Sequence, residues 1–265
     1  MSRARCRLLT AVIAVMAALA LTLAFLGGAP TGVVKVSALA ITIVSLSRLT
    51  IFLVPLIALL LSYDAIVGEV ERGAMATLLA YPVARWQVIA GTFLGQLGIL
   101  GLATVLGYSA AGLALQWAGN DDLKAWDAFA IMIASSILLG AVFIAIGFFV
   151  SSLVRDRGAA GGIASGIWLP FVLLYDMALL GVLVADAGRT VTADTLNALL
   201  LLLLNPPDAY RLLNLSASPD IGGLAGVTGL GAHTGLGPAT LVAALAAWVV
   251  APLTAATAVF ARRQL

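Results

Sequence analysis

The sequence YDAIVGEVERGAMATLLAYPVARWQ, residues 63–87, separates two apolar runs that are each long enough to cross a membrane. We call it the charged segment. Val70 to Ala80 has a helical pattern, and Pro82 then removes a backbone donor and disfavours helix at the residue before it. The sequence therefore predicts a short helix outside the membrane, joined to a transmembrane helix on either side.

Apolar and charged side chains share the surface of this predicted helix. Met75, Leu78 and Leu79 lie on one side of it, and Glu71 and Arg72 lie near its start, where an acidic side chain suits the helix dipole. These residues leave two interpretations open. The helix either receives a partner that drives the membrane part, or it is an interfacial helix that only closes a loop.

The composition is that of an integral membrane protein. Hydrophobic residues make up 62% of the 265 residues and charged residues 10%, with a mean hydropathy of +1.12. The formal net charge of +2 gives no argument for nucleic-acid binding. Cys6 is the single cysteine, which excludes an intrachain disulfide.

Six apolar runs are long enough to span a bilayer, and they predict an all-α membrane protein with one transmembrane domain over residues 1–265. The first run is longer than the core of a secretory signal and has no clear cleavage site, so we interpret it as an anchor. The six predicted spans are about 8–26, 40–62, 88–116, 129–153, 159–184 and 239–260.

The distribution of Lys and Arg predicts the orientation. One set of connections carries nine arginines in short segments, and the other carries four basic residues in longer ones. The first set is Arg3, Arg5, Arg7, Arg72, Arg85, Arg155, Arg157, Arg262 and Arg263, and the second is Lys35, Lys124, Arg189 and Arg211. We therefore expect a multi-pass protein with both termini and the charged segment in the cytoplasm.

The connection over residues 185–238 is long enough to form an external subdomain. Within it, the apolar run from Ala198 to Leu204 is too short to span, and a Pro-Pro break precedes a second helical pattern. We expect short helices that lie on the outer leaflet or dip into it.

Two charges and two rows of glycine lie within the predicted spans. A lone charge near the bilayer centre is costly, so Arg48 and Asp176 are expected to face the protein interior and pair, within one subunit or across a dimer. Glycines every fourth residue let another helix approach closely. The two rows are Gly91 and Gly95 on the third span, and Gly158, Gly162 and Gly166 on the fifth.

The residue inventory argues against catalysis on this chain. Lys35 and Lys124 do not lie in a phosphate-binding loop, so the chain does not bind ATP in that way. Copper ligands would be Cys6, His233 and scattered methionines without paired spacing, which predicts no metal site here. The alternative to a subunit of a larger machine is a stand-alone channel or secondary transporter.

The stretch GEVERGAMATLLAYPVARWQVIAGTFLGQ resembles the signature of ABC-2 type permeases. From about Ser45 to the end, the phrases FLVPLIALLLSYDAIVGE and LLLLLLNPPDAYRLLNLS resemble one branch, the permeases of the nitrous-oxide reductase maturation transporter. Two features depart from the family pattern. Thr77 does not directly follow Gly73, and the short N-terminus leaves no room for the usual amphipathic helix, so either the start is misassigned or this branch dispenses with that helix.

The resemblance implies the ABC-2 (type V exporter-like) fold and a homodimer in the lipid of the bacterial inner membrane. It implies a NosF-like cytoplasmic ABC ATPase dimer that holds ATP and Mg, and a NosD-like periplasmic β-helix protein. Copper would be held by partner proteins, and this chain would carry no cofactor. The implied activity is assembly of the copper centres of nitrous-oxide reductase, and the alternative within the family is export of another substrate.

The resemblance also assigns residues to two contacts. The ATPase-coupling residues would be Glu69, Glu71, Arg72, Gly73, Met75, Leu78, Leu79, Pro82 and Arg85. The residues that contact the periplasmic partner would be Asn205, Pro206, Asp208, Tyr210 and Arg211.

Overall fold

The protein is all-helical throughout the residues that its computed structural model describes, which are 38–81, 83–117, 123–175, 177–178, 203–217 and 237–262. The sequence predicted this class. A π-helical turn, Pro170–Leu174, continues the sixth helix. The helices are α1 (Ala38–Ser62), α2 (Val67–Glu71), α3 (Ala74–Leu79), α4 (Arg85–Trp117), α5 (Leu123–Leu153), α6 (Arg157–Leu169), α7 (Pro206–Ala217) and α8 (Pro238–Arg262).

Five helical stretches of the described chain are long and apolar enough to cross a membrane. They correspond to the second to sixth predicted spans. The predicted first span, residues 8–26, lies outside the described residues, so the count of six remains a prediction. The five stretches are Leu46–Glu71, Arg85–Leu113, Trp126–Leu153, Arg157–Leu174 and Pro238–Arg262.

Helix α5 is the centre of the bundle. In its most apolar stretch 67% of the residues are buried, a larger share than in the other four stretches that could span a membrane. Helices α1, α4 and α8 all pack against it. A helix that is apolar on every side must be surrounded by protein or lipid, and the sequence of α5 is apolar on every side. Phe143 and Phe148 are fully buried, and the Phe148 ring packs edge-to-face on Phe93 at 6.1 Å between centroids.

Helices α1 and α5 cross closely at Gly147. A Cβ atom built on Gly147 would lie 1.9 Å from Ser62 Oγ and 2.8 Å from Ser62 Cβ. One built on Gly140 would lie 2.0 Å from Leu100 Cδ2 on α4. Close approach therefore requires glycine at position 147, whereas at position 140 the end of the flexible Leu100 side chain could move aside. Neither glycine belongs to the rows predicted from the sequence.

The glycine rows predicted from sequence lie on open surfaces of the single chain. A Cβ atom at Gly91, Gly95, Gly162 or Gly166 would meet no atom within 4 Å. One at Gly158 would meet only the Asp156 side chain. Tight crossings at these glycines are therefore not made by the described residues of this chain, and the row on α6 remains a predicted contact with a second chain.

Replacing Gly162 with Leu should lower the yield of the predicted homodimer or of its complex, because an isobutyl group would occupy the open groove that a second helix is predicted to enter. Size-exclusion chromatography with light scattering in detergent would measure the dimer fraction. Ala247→Leu, on an exposed face of α8, is the control and should leave the dimer intact. An unchanged dimer in Gly162→Leu would contradict the predicted groove.

The helix of the predicted external subdomain lies inside the protein. Helix α7 packs against α5 and α8, and its residues Ala209, Tyr210, Leu212 and Leu213 are at most 5% exposed. It contacts α5 near Ser136, ten residues or about 15 Å into the candidate span. The side chains of α7 therefore find partners between the spans, whereas its position relative to the outer leaflet, on it or dipping into it, stays a prediction.

Candidate functional site

The charged segment forms two short helices, and the prediction of one helix from Val70 to Ala80 is wrong. Helix α2 ends at Glu71 and α3 begins at Ala74. Gly73 between them has φ +69°, the left-handed region that favours glycine, and its N–H donates to the carbonyl of Val70 at 3.0 Å. Gly73 thus has a local role, which is to reverse the chain between α2 and α3.

Helix α2 receives its N-terminal cap from α5. Its own N-cap residue, Ile66, makes no side-chain cap bond. Instead, Ser151 Oγ accepts hydrogen bonds from the backbone N–H groups of Ile66 and Val67, both at 3.0 Å. Ser151 is fully buried. Two donors that the first turn of a helix leaves without partners are therefore satisfied by a residue from the centre of the bundle.

Ion pairs tie the charged segment to the start of α6. Arg157 Nη2 donates to Asp64 Oδ2 at 2.7 Å, and the Arg157 backbone N–H donates to Glu71 Oε1 at 3.0 Å. Arg72 Nη2 donates to Glu69 Oε1 at 2.8 Å. The side chains of Asp64, Glu69, Arg72 and Arg157 are 22 to 42% exposed. Pairs this exposed each contribute little stability, but they define where the segment stands relative to α6.

The two sides of α3 have different surroundings. Met75 is 4% exposed and belongs to the protein core, whereas Leu78 is 45% exposed. The expectation that both side chains face an ATPase is therefore wrong for Met75, because the turn of the helix directs it inward. The side chain of Leu79, and Pro82, lie outside what the structure describes.

Arg85 links the end of the charged segment to the last helix. Its Nη1 donates to the carbonyls of Phe260 at 2.8 Å and Ala261 at 3.3 Å, and its guanidinium lies 5.6 Å from the centroid of the Phe260 ring. A cation at the C-terminus of a helix satisfies carbonyl groups and suits the dipole. Arg85 therefore makes contacts within the chain that its assignment to ATPase coupling did not include.

A cavity of about 810 Å³ separates the charged segment from α1 and α4. Met75 and Leu78 border it at one end, and Thr92, Gln96 and Ala103 of α4 lie along its wall. Helix α3 is thus not packed continuously against the spans. Met75 nonetheless keeps α3 in contact with the core, and α2 is held by Ser151.

A second polar cluster lies around α7, within the bundle. Tyr210 OH and Ser136 Oγ are 3.1 Å apart, and Asn214 Nδ2 donates to Ser135 Oγ at 3.0 Å. All four residues are at most 7% exposed. Nearby, Thr50 of α1 and Tyr108 of α4 are hydrogen-bonded through their hydroxyls. Polar groups in a membrane protein interior need such partners, and here they join α7 to the spans.

The residues assigned to a periplasmic partner are largely inside the chain. Asp208 is fully buried and accepts hydrogen bonds from Asn205 Nδ2 at 2.7 Å and Arg211 Nη1 at 3.2 Å. Asn205 is 1% exposed, Tyr210 is fully buried, and Pro206 is buried too. A buried side chain offers a partner no surface, which corrects the assignment for these four. The Arg211 side chain, 27% exposed, is the member of the set that reaches the surface.

The structure leaves two other predicted sites open. Arg48 is exposed on α1, but Asp176 lies outside the described residues, so the charge pair remains a prediction. Cys6 and His233 also lie outside them. Among the described residues there is no group of three His, Cys, Asp or Glu side chains that would hold a metal ion.

Comparison with known proteins decides the family. The family model described as ABC-2 family transporter protein matches residues 2–265. The chain belongs to the ABC-2 transporter family. A Stutzerimonas stutzeri protein named probable ABC transporter permease protein NosY is 42% identical to this ABC-2 permease over 261 residues, which cover 98% of this chain and 94% of the relative. A Pseudomonas aeruginosa protein of the same name is 42% identical over 262 residues, with the same coverage.

These matches confirm the resemblance stated from the sequence. An ABC-2 permease is the membrane subunit of an ABC transporter and works with an ATPase partner, so the charged segment becomes the candidate contact with that ATPase. Sequence reasoning missed four residues that hold this segment in place: Asp64, Gly147, Ser151 and Arg157. Arg157 was recognised only as a positive charge, and nothing in the sequence near Gly147 or Ser151 marks them, because their partners are distant along the chain.

Proposed function

We propose that this ABC-2 permease couples ATP hydrolysis by a separate cytoplasmic ATPase to the assembly of the copper centres of nitrous-oxide reductase outside the membrane. Two subunits would form a homodimer on a NosF-like ATPase dimer and would act on a NosD-like β-helix protein in the periplasm. The branch is supported by the name that both relatives carry, NosY. Six spans with both termini in the cytoplasm complete the proposed arrangement.

The observation that carries the coupling role is the way the charged segment is built. Its helix α3 exposes Leu78 in a segment that carries several charged side chains. Its helix α2 is anchored to α5 through Ser151 and to α6 through Arg157. An ATPase that pushed on α3 would therefore push on the spans. Both contacts join the charged segment to spans that are distant from it in sequence.

The proposed role of copper places the metal on the partner proteins. Soft Cu(I) prefers Cys and Met sulfur. Met132 is fully buried in the core cluster around α5, and Met75 packs in the same core. The chain would supply the movement, and its partners would supply the ligands.

Deleting the gene in its own host should yield nitrous-oxide reductase without its copper centres, because the ATPase would have no membrane subunit to drive. Copper content and the visible spectrum of the purified reductase measure this, and a plasmid copy of the intact chain is the control that should restore both. The tagged chain should also copurify its ATPase from detergent.

Each rival function predicts a different pair of results. A permease that exports another substrate would copurify an ATPase but leave the reductase copper unchanged in the deletion strain. A stand-alone channel or secondary transporter would copurify no ATPase.

A further inference from the structure

Helix α5 contacts both the charged segment and the polar cluster around α7. Ser151, near its end, caps α2 of the charged segment, and Ser136, near its middle, contacts Tyr210 of α7. These two serines are 15 residues apart, which is about 22 Å along a helix. The charged segment and the buried helix α7 are thus joined by α5, and also by α8, through Arg85 at one end and Trp248 at the other.

At the end near the charged segment, α5 and α1 meet without a gap. Gly147 lies one turn before Ser151, where even a methyl group would collide with Ser62. Ser62 is the last residue of α1, directly before the charged segment. A displacement of α2 therefore meets both a pair of hydrogen bonds and a hard steric contact on α5.

At the other contact, α7 is held by side chains of α5 and α8. Ser136 and Ser135 engage Tyr210 and Asn214. On the α8 side, Trp248 Nε1 donates to the carbonyl of Leu203, which precedes α7, at 3.2 Å. Helix α7 is not a transmembrane span, since it has 12 residues, and a short helix is free to shift if its two sides are displaced relative to each other.

Among the described spans, α5 is the one built to transmit a displacement. Helix α1 also runs between the two clusters, but Pro55 interrupts its hydrogen bonds between Ser62 and Thr50. Helix α8 likewise contacts both, but Pro252 interrupts it between Trp248 and Phe260. Helix α4 borders the cavity, and only 33% of the residues in its most apolar stretch are buried. Helix α5 has 31 residues without a proline and is the most buried span. Packed interiors transmit strain because they compress little.

We propose that α5 carries displacements of the charged segment to α7, so that the conformation of α7 follows the nucleotide state of the ATPase. Ser151 is the positioning residue at one contact, and the Ser136–Tyr210 hydrogen bond is the connection at the other. This inference rests on the proposed coupling of the charged segment to an ATPase. It adds the route inside the permease and names α7 as the element that responds.

Hydrogen–deuterium exchange of the full complex in detergent tests this route. Peptides covering residues 206–217 are compared between the nucleotide-free complex and the complex trapped with ADP and vanadate. In the intact protein, exchange in these peptides should differ between the two states. Ser151→Ala should still copurify the ATPase but lose most of this difference, because α2 is no longer held to α5.

Two further variants keep the test decisive if Ser151→Ala folds poorly. Tyr210→Phe removes one oxygen at the other contact and should lose the same difference. Thr104→Val is the matched control, since Thr104 is also buried but its hydroxyl bonds Leu100 within its own helix, and it should keep the difference.

The outcomes separate this inference from the proposed function. Absence of ATPase from the intact complex would overturn the coupling role itself. A copurified ATPase with nucleotide-independent exchange in 206–217, or with the same difference in Ser151→Ala and Tyr210→Phe as in the intact protein, would overturn only the route through α5.

Discussion

Leu78→Asp is expected to leave the permease in the membrane and to abolish copurification of its ATPase. Leu78 is a large apolar side chain of α3 that is 45% exposed, and binding through a small interface of this kind depends on a few buried side chains. An aspartate buried there would be an unpaired charge. The loss should be at least about 2 kcal/mol per contact, or roughly 30-fold in affinity. Reductase copper should be lost with it.

Leu78→Met is the matched control. It keeps an apolar side chain of similar volume, and such exchanges are tolerated best in packed surroundings. Copurified ATPase, quantified against the permease on a stained gel, and reductase activity in the same strain would both be measured. Normal ATPase recovery and full reductase activity with Leu78→Asp would show that α3 does not couple the two proteins.

Gly147→Ala should destabilise the permease itself, although it adds only a methyl group. That methyl group would lie 1.9 Å from Ser62 Oγ and 2.8 Å from Ser62 Cβ. The hydroxyl can rotate, but the Cβ atom is fixed to the backbone, so α1 and α5 must separate. Overpacking of this kind typically costs about 1–3 kcal/mol. The midpoint of thermal unfolding in detergent should fall by roughly 2–12 °C.

A second substitution at the crossing distinguishes a steric effect from a general one. Ser62→Gly removes the side-chain atoms that the new methyl group meets. The double variant Gly147→Ala with Ser62→Gly should therefore be more stable than Gly147→Ala alone, because the effects of substitutions at contacting residues are not additive. Gly98→Ala is the control, because a Cβ atom there meets nothing within 4 Å. If Gly147→Ala lowered the unfolding midpoint by the same amount with and without Ser62→Gly, the proposed steric contact between α1 and α5 would be contradicted.

The spans could be predicted because transfer into lipid depends mainly on each side chain by itself. The predicted run at 129–153 corresponds to α5, Leu123–Leu153, and the predicted run at 239–260 to α8, Pro238–Arg262. The charged segment was located in the same way, since its charges exclude it from the bilayer. Its family signature was also readable, because that signature is a contiguous stretch of sequence.

The interior of the charged segment could not be predicted in the same detail. Gly73 is compatible with a helix on pattern alone, and its left-handed conformation ends α2. The cap on α2 comes from Ser151, 85 residues beyond Ile66. The inward direction of Met75 depends on where α2 ends, so an error of one turn in the helix changed which apolar side chain is available to a partner.

Sequence alone determined which stretches are apolar enough to span, where the charged segment interrupts them, and which family the chain belongs to, because hydropathy and motifs are properties of neighbouring residues. Tertiary structure decided the place of α7, which reads as an external helix but whose Tyr210 and Asn214 are partnered by serines 74 and 79 residues earlier. It also decided which glycines are needed for close approach: Gly147, which meets Ser62, rather than Gly162, which is open in the single chain. Burial of a polar or small residue in a membrane is set by the partner that another helix presents, and that partner is not adjacent in sequence.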